Sequence, residues 1–165
     1  FKTNNAAIAI VEMKEEPADA VVSKGITLVL DDVRDPGNLG TIIRIADWYG
    51  IENIICSPQT ADWYNPKVVN ATMGSFTRVS VTYQNLNEVL IHSDLPVYGA
   101  LLAGDNIYQE DLRQDAFLVM GNESKGISPQ IEKYITHAVS IPGRGGAESL
   151  NVAVSTAVVL DNFFR

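Results

Sequence analysis

The chain has 165 residues, 46% of them hydrophobic, with 12 basic and 20 acidic residues and a formal net charge of −8. That length fits one domain, the composition excludes intrinsic disorder and fibrous repeats, and a single cysteine, Cys56, excludes an internal disulfide or a cysteine zinc cluster. No apolar run approaches the roughly 18 residues of a bilayer span, and the acidic balance argues against phosphate binding by overall positive charge.

Short apolar runs alternate with helical patterns. Ala7 to Val11 reads as a strand, and residues 12–20 (EMKEEPADA) as a charged connector containing Pro17. The chain opens on Phe1 with no secretory leader pattern. Residues 1–20 are therefore expected to be a strand and connector left from a missing neighbouring domain, with 21–165 as the main domain in a cytoplasmic, reducing setting. Ile26 to Leu30 is the second strand, followed by the turn-rich Asp35-Pro36-Gly37. Leu39, Ile42, Ile43, Ala46 and Tyr49 then recur with the spacing of an amphipathic helix over Asn38–Tyr49. Asn38 is the expected N-cap and Gly50 the expected C′ residue.

Asn53 to Cys56 is a short strand, and Asn65-Pro66 opens a helix running to about Gly74. Arg78 to Tyr83 is β-rich and Asn85 to Ile91 helical. Pro96 to Leu102, Ala116 to Met120 and Ala138 to Ile141 read as strands, and Leu150 to Phe164 as a long apolar helix. Strands separated by helices predict an α/β fold, a mostly parallel sheet with helices on both faces.

Ligands of such sheets bind at the carboxyl ends of strands, and three segments there carry polar residues. The first runs from Asp32 to Arg44, where free N–H groups at a helix start suit a phosphate or carboxylate. The same residues also read as a plain cap with a solvent arginine. The second, Gly121-Asn122-Glu123-Ser124-Lys125-Gly126-Ile127-Ser128, nearly matches the P-loop, but Ile127 stands where the phosphate-binding lysine belongs. The third, Ile141 to Asn151, has three glycines, then Glu148, Ser149 and Asn151 at a helix start. It lacks the glycine order of a dinucleotide site, and an ordinary cap at Ser149 would explain it equally. His92 and His137 have no metal-ligand spacing, and no nucleophile elbow exists, with Cys56 lacking a local activator.

Together and in this order, the three segments resemble the three motifs of the SpoU (TrmH-like) family of RNA ribose 2′-O-methyltransferases, in the SPOUT superfamily. The first motif resembles Asn38-Leu-Gly-Thr-Ile-Ile-Arg44, the second Gly121 to Ser128, the third Ile141-Pro-Gly and Glu148 to Val152. The resemblance implies a C-terminal deep trefoil knot, an exception to the near absence of knots, with S-adenosylmethionine held in the knotted loops and no metal. Leu102, Ala103, Gly121, Asn122, Ile141, Pro142 and Leu150 are the implied cofactor-binding residues, apolar or backbone in character as a purine pocket requires.

The implied reaction is methyl transfer to a ribose 2′-hydroxyl of rRNA or tRNA, leaving S-adenosylhomocysteine. Arg44 is implied as the residue serving the hydroxyl. A guanidinium holds its proton above about pH 12, so meeting the alkoxide charge and the target phosphate asks less of it than acting as a base. Asn38, Glu123, Ser149 and Asn151 occupy the other catalytic positions, Glu123 orienting either Arg44 or Asn38. A homodimer is implied, through the Asn38–Tyr49 helix and the C-terminal helix, with Arg44 of one subunit near the other's cofactor. The C-terminal helix is apolar around almost its whole circumference and must be buried, against a partner or within its own subunit.

Family members that bind RNA alone tend to be basic, and many carry a separate N-terminal RNA-binding domain. This acidic stretch is thus expected to bind cofactor well and RNA weakly. The rivals are a non-catalytic RNA-binding or assembly module of the same fold, and a nucleotide-binding α/β enzyme using the Gly121 loop.

Overall fold

The computed structural model describes Ile10, Glu12 and residues 24–165. The expected strand Ala7–Val11 lies, but for Ile10, outside the described residues, as does most of the connector. Among the described residues six strands form one sheet: β1 (Ile26–Leu30), β2 (Asn53–Cys56), β3 (Ser80–Tyr83), β4 (Val97–Asn106), β5 (Ala116–Met120) and β6 (His137–Ser140). Their order is β3-β2-β1-β5-β4-β6, and every named pair is parallel. The helices are α1 (Pro36–Trp48), α2 (Pro66–Thr72), α3 (Leu86–Ile91), α4 (Pro129–Glu132) and α5 (Val152–Phe163).

β1 and β5 are central and buried along their whole length. A parallel strand covered on both faces needs a continuous apolar run rather than alternation, and ITLVL and AFLVM are such runs. Leu28 and Leu30 face one core with α1, α2 and α5, where Leu39, Ile42, Ile43, Val68, Val159 and Leu160 pack. Val29 faces the other core with Leu86, Leu90 and Ile131 of α3 and α4. The helices therefore cover both faces, as the alternation predicts.

Two elements begin elsewhere than the sequence reading places them. Asn38 is not the N-cap of α1. Asp35 is, its Oδ1 accepting from the Asn38 N–H at 2.8 Å, with Pro36 in the first turn. A carboxylate cap followed by proline is a stronger helix start than an asparagine two residues inside, and the shift releases the Asn38 side chain. The last helix is capped by Asn151, whose Oδ1 accepts from the N–H groups of Ala153 and Val154, and not by Ser149.

β4 extends past Leu102 to Asn106. Its pairing with β6 breaks after Ala100 and resumes at Asp105, which pairs the same Val139. The intervening residues bulge out of the ladder, leaving Leu102 82% exposed.

α1 and α2 approach closely at Gly40. A methyl group there would sit 2.5 Å from Ala71 Cβ and 2.6 Å from the Val68 carbonyl oxygen. Gly40→Ala is therefore expected to destabilise the domain by about 1–3 kcal/mol, read as a lower urea midpoint with an unchanged slope.

Candidate functional site

In an all-parallel sheet every strand ends on the same edge, so the loops after β1, β5 and β6 meet there. Two of them are tied before any ligand is considered. The buried Asp31 carboxylate accepts from the Ser128 N–H at 2.7 Å. Asn122 Nδ2 donates to the Asp32 carbonyl at 2.7 Å. Asp32 has φ +61°, a left-handed conformation costly for a residue with a Cβ, and it bends the chain from β1 toward α1. Its N–H donates to Ser57 Oγ at 2.9 Å, and its Oδ1 accepts from Arg34 Nε at 2.6 Å.

The loop after β5 closes on itself. The N–H groups of Asn122 and Gly126 donate to each other's carbonyls at 3.0 and 2.9 Å. Asn122 Oδ1 accepts from Ser124 N and Lys125 N. A Cβ at Gly121 would stand 2.2 Å from the Gly126 carbonyl carbon, so only glycine admits this return. A phosphate cradle needs those N–H groups turned outward. Here they are spent on the loop, which removes the basis of the nucleotide-loop reading.

Glu123 projects from this loop toward α1. Its Oε1 accepts from Asn38 Nδ2 and from the Asp35 N–H, both at 3.0 Å, and its Oε2 from the Arg34 N–H at 3.3 Å. Asn38 Oδ1 in turn accepts from Asn151 Nδ2 at 2.9 Å. One chain of hydrogen bonds thus joins the loops after β1, β5 and β6. Partial burial pushes the Glu123 carboxyl up, but the hydrogen bonds from Asn38 and from backbone N–H groups outweigh it and hold it below its usual value. Asp35, Asn38, Glu123, Ser149, Leu150, Asn151 and Val152 line a cleft of about 510 Å³. A second cleft of about 470 Å³, sharing Asp35 and Glu123, is lined by Arg34, Pro36, Asn122, Ser124 and Lys125.

Four of the five expected catalytic residues, Asn38, Glu123, Ser149 and Asn151, therefore meet in one cleft. Arg44 does not line it. It lies six residues along α1 from Asn38, about 9 Å up the axis and a third of a turn away, exposed and with no hydrogen bond or ion pair among the described residues. Glu123 takes Asn38 as its partner, not Arg44. Of the expected cofactor residues Leu150 lines the first cleft and Asn122 the second. Leu102 and Ala103 stand in the bulge within β4, and Ile141 and Pro142 just after β6, all outside both clefts, and Gly121 is buried beneath its own loop.

Asp31, Arg34 and Asp35 went unassigned in the sequence reading. The Asp35-Pro36 pair was the available signal, being a helix-start pattern. Cys56 is fully buried, and burial pushes its thiol far above the ordinary range, which leaves it inert. His137 stacks on Tyr98 with ring centroids 4.8 Å apart, and its Nδ1 meets Thr136 Oγ1.

Glu123→Gln keeps one acceptor for Asn38 but sets an amide against the Arg34 N–H. The expected cost is about 1 kcal/mol at neutral pH, modest because the group is exposed. A carboxyl held low stabilises the fold fully above its unfolded value, near 4.3, and loses that contribution as pH falls through its lower folded value. The stability gap between the native chain and Glu123→Gln should therefore shrink as pH falls below about 4, measured by urea unfolding across a pH series.

The sequence model of the SpoU rRNA Methylase family matches residues 25–161. The 23S rRNA (guanosine(2553)-2′-O)-methyltransferase RlmP of Bacillus subtilis is 34% identical over 148 residues, 87% of this chain and 60% of that protein. A TrmH-family structure from Porphyromonas gingivalis superposes with a TM-score of 0.83 at 43% identity, over 90% of this chain and 61% of that one. The SpoU methyltransferase AviRb of Streptomyces viridochromogenes, in complex with AdoMet, superposes with a TM-score of 0.82 at 29% identity, over 92% of this chain and 65% of that one. The chain spans between 38% and 64% of the length of these and other curated relatives that it matches. With its three motif loops bonded together at one cleft and the family pattern running from β1 into α5, the chain belongs to the SpoU rRNA methylase family.

Proposed function

We propose that the chain is the catalytic domain of an RNA ribose 2′-O-methyltransferase that uses S-adenosylmethionine and acts on rRNA or tRNA. The Asn151–Asn38–Glu123 hydrogen-bond chain carries this reading, because it assembles polar groups from all three motifs around one cleft. When bound, S-adenosylmethionine supplies a methyl group made electrophilic by its sulfonium. The residues present suit it. Leu102 and Leu150 are 82% and 50% exposed, and Ile141 is half-buried, so the bulge of β4 and the segment after β6 offer apolar side chains that a purine ring would cover. Gly121 and Asn122 would contribute backbone only, since the Asn122 side chain is engaged by Asp32, Ser124 and Lys125.

The 2′-hydroxyl is a weak nucleophile until its proton is drawn off or its developing charge is met. Ser149, on the cleft wall with no side-chain partner among the described residues, is placed to hydrogen-bond the ribose. Asn38 is clamped at both ends of its amide, so it positions rather than reacts. Glu123 fixes Asn38 and the start of α1. Arg44 supplies a permanent positive charge to the alkoxide and target phosphate.

That charge must come from a second copy. Arg44 shares the outward ridge of α1 with Trp48, four residues on and 85% exposed, while Val154 of α5 is 51% exposed and Phe164, just after α5 and stacked on Tyr49, 45%. The other face of α5, with Val152, Val159, Leu160 and Phe163, is buried within its own chain. A homodimer joined through α1 and α5 would cover the remaining apolar surface and carry each Arg44 toward the partner's cleft. The trefoil knot is proposed on similar grounds. The chain leaves β6 at the far edge of the sheet and returns past β4 and β5 to set α5 on α1.

Calorimetry of the chain with S-adenosylhomocysteine, beside ATP with magnesium, tests the reading. Binding of S-adenosylhomocysteine alone is expected, and binding of ATP alone would overturn it. Arg44→Ala is expected to abolish methylation of RNA from cells lacking the modification while leaving S-adenosylhomocysteine affinity nearly unchanged. Co-expressing Arg44→Ala with Asn38→Ala, each inactive alone, should restore about a quarter of native turnover if Arg44 acts across a two-fold dimer. No restoration would place Arg44 in its own subunit's site.

A further inference from the structure

We infer that the second cleft, beside the catalytic one, is a phosphodiester subsite in which Arg34 and Lys125 hold the RNA backbone next to the target ribose. This rests on the methyltransferase reading and adds a ligand contact to it. Arg34 and Lys125 are the two cations lining that cleft. Arg34 is 63% exposed and uses only Nε on Asp32, leaving both terminal nitrogens without a partner among the described residues. The Lys125 ammonium has no hydrogen-bond or ion-pair partner among the described residues. Three other cations are placed differently: Arg78 is paired with Asp47, Arg165 with Asp161, and Lys133 lies over the Tyr134 ring.

The charge of the lining selects the ligand. Asp35 and Glu123 face the same cleft, so its four charged lining side chains sum to zero, with the Asp32 carboxylate on Arg34 Nε adding a further negative charge beside them. The Asp35 and Glu123 carboxylates already accept N–H groups of their own chain, which blunts their repulsion. A triphosphate would meet too little positive charge there. A phosphodiester carries one negative charge spread over two oxygens, which a guanidinium and an ammonium can divide. The two clefts share Asp35 and Glu123, so a ribose in the first sets its own phosphate toward the second. In a chain of net charge −8 the RNA backbone must be met by such local cations, because the overall field repels it.

The test is an amide NMR titration of the chain with uridylyl-uridine, which has one phosphodiester, and with uridine, which has none. S-adenosylhomocysteine binding is measured on the same samples. The dinucleotide should shift the amides of Arg34, Ser124 and Lys125, and uridine should not. Arg34→Gln and Lys125→Gln should each weaken the dinucleotide about fivefold to tenfold. Lys133→Gln should leave it unchanged, and all three variants should bind S-adenosylhomocysteine like the native chain. Equal shifts from uridine, no shift at these amides, or unaltered affinity in both cleft variants would overturn the subsite. Loss of S-adenosylhomocysteine binding in the cleft variants would also overturn it, assigning the cations to the cofactor. Failure of the native chain to bind S-adenosylhomocysteine would instead count against the methyltransferase reading.

Discussion

The Glu123 carboxylate holds the site together. It accepts three N–H groups from the β1–α1 segment, two from the backbone at the helix start and one from Asn38. An ionised acceptor is needed for this, since a neutral acid would turn one oxygen into a donor against donors. Its own loop is stiffened by Asn122, which spends its side chain inward on Ser124 and Lys125 and outward on Asp32. The left-handed backbone at Asp32 is tolerated because the partners on either side over-determine it. Strain, cap and carboxylate form one mechanically coupled unit, and Asn38 is held at its centre.

The sheet makes this coupling possible. β1 and β5 are neighbours although 85 residues separate Asn38 from Glu123, so the loops leaving them emerge side by side. β6 is at the far edge, and its contribution arrives only because α5 returns to pack on α1. Asn151 then does two things with one side chain. Its oxygen caps α5 and its nitrogen bonds Asn38. Docking of the last helix and completion of the site are therefore the same event, and damage to either is felt by both.

Much of the frame could be read from the residues. β1 and β5 were legible because buried parallel strands need unbroken apolar runs, and theirs are bounded by polar or glycine residues. The position of Arg44 off the apolar face followed from helix geometry alone. The start of α1 was misplaced because two good caps, Asp35 and Asn38, stand three residues apart, and spacing cannot rank them when the proline between favours the first. The length of β4 was hidden by a bulge whose residues pair with nothing. The Gly121 loop matched a phosphate loop closely in letters, but letters do not state which way N–H groups point. The hydrogen bonds linking positions 38, 123 and 151 had no local signature, since each joins residues 85 or more apart. Only the resemblance of all three motifs placed those residues in one site.

Three demands converge on α1. Its start must present the N–H groups of Arg34 and Asp35 and the Asn38 amide to Glu123, with Asp35 as the cap and Pro36 in the first turn. Its flank must let α2 approach at Gly40, where any side chain meets the Val68 carbonyl. Its outward ridge carries Arg44 and Trp48, which no element among the described residues covers. A helix has room for these jobs because Asn38 lies well around the axis from Gly40 and Arg44, and those two, on neighbouring positions of one side, are a full turn apart along it. A single rotation of α1 would misplace all three at once. The same helix that anchors the cleft thus sets the direction in which its arginine leaves the subunit, so the geometry of the site and that of any partner docked on this ridge are not independent.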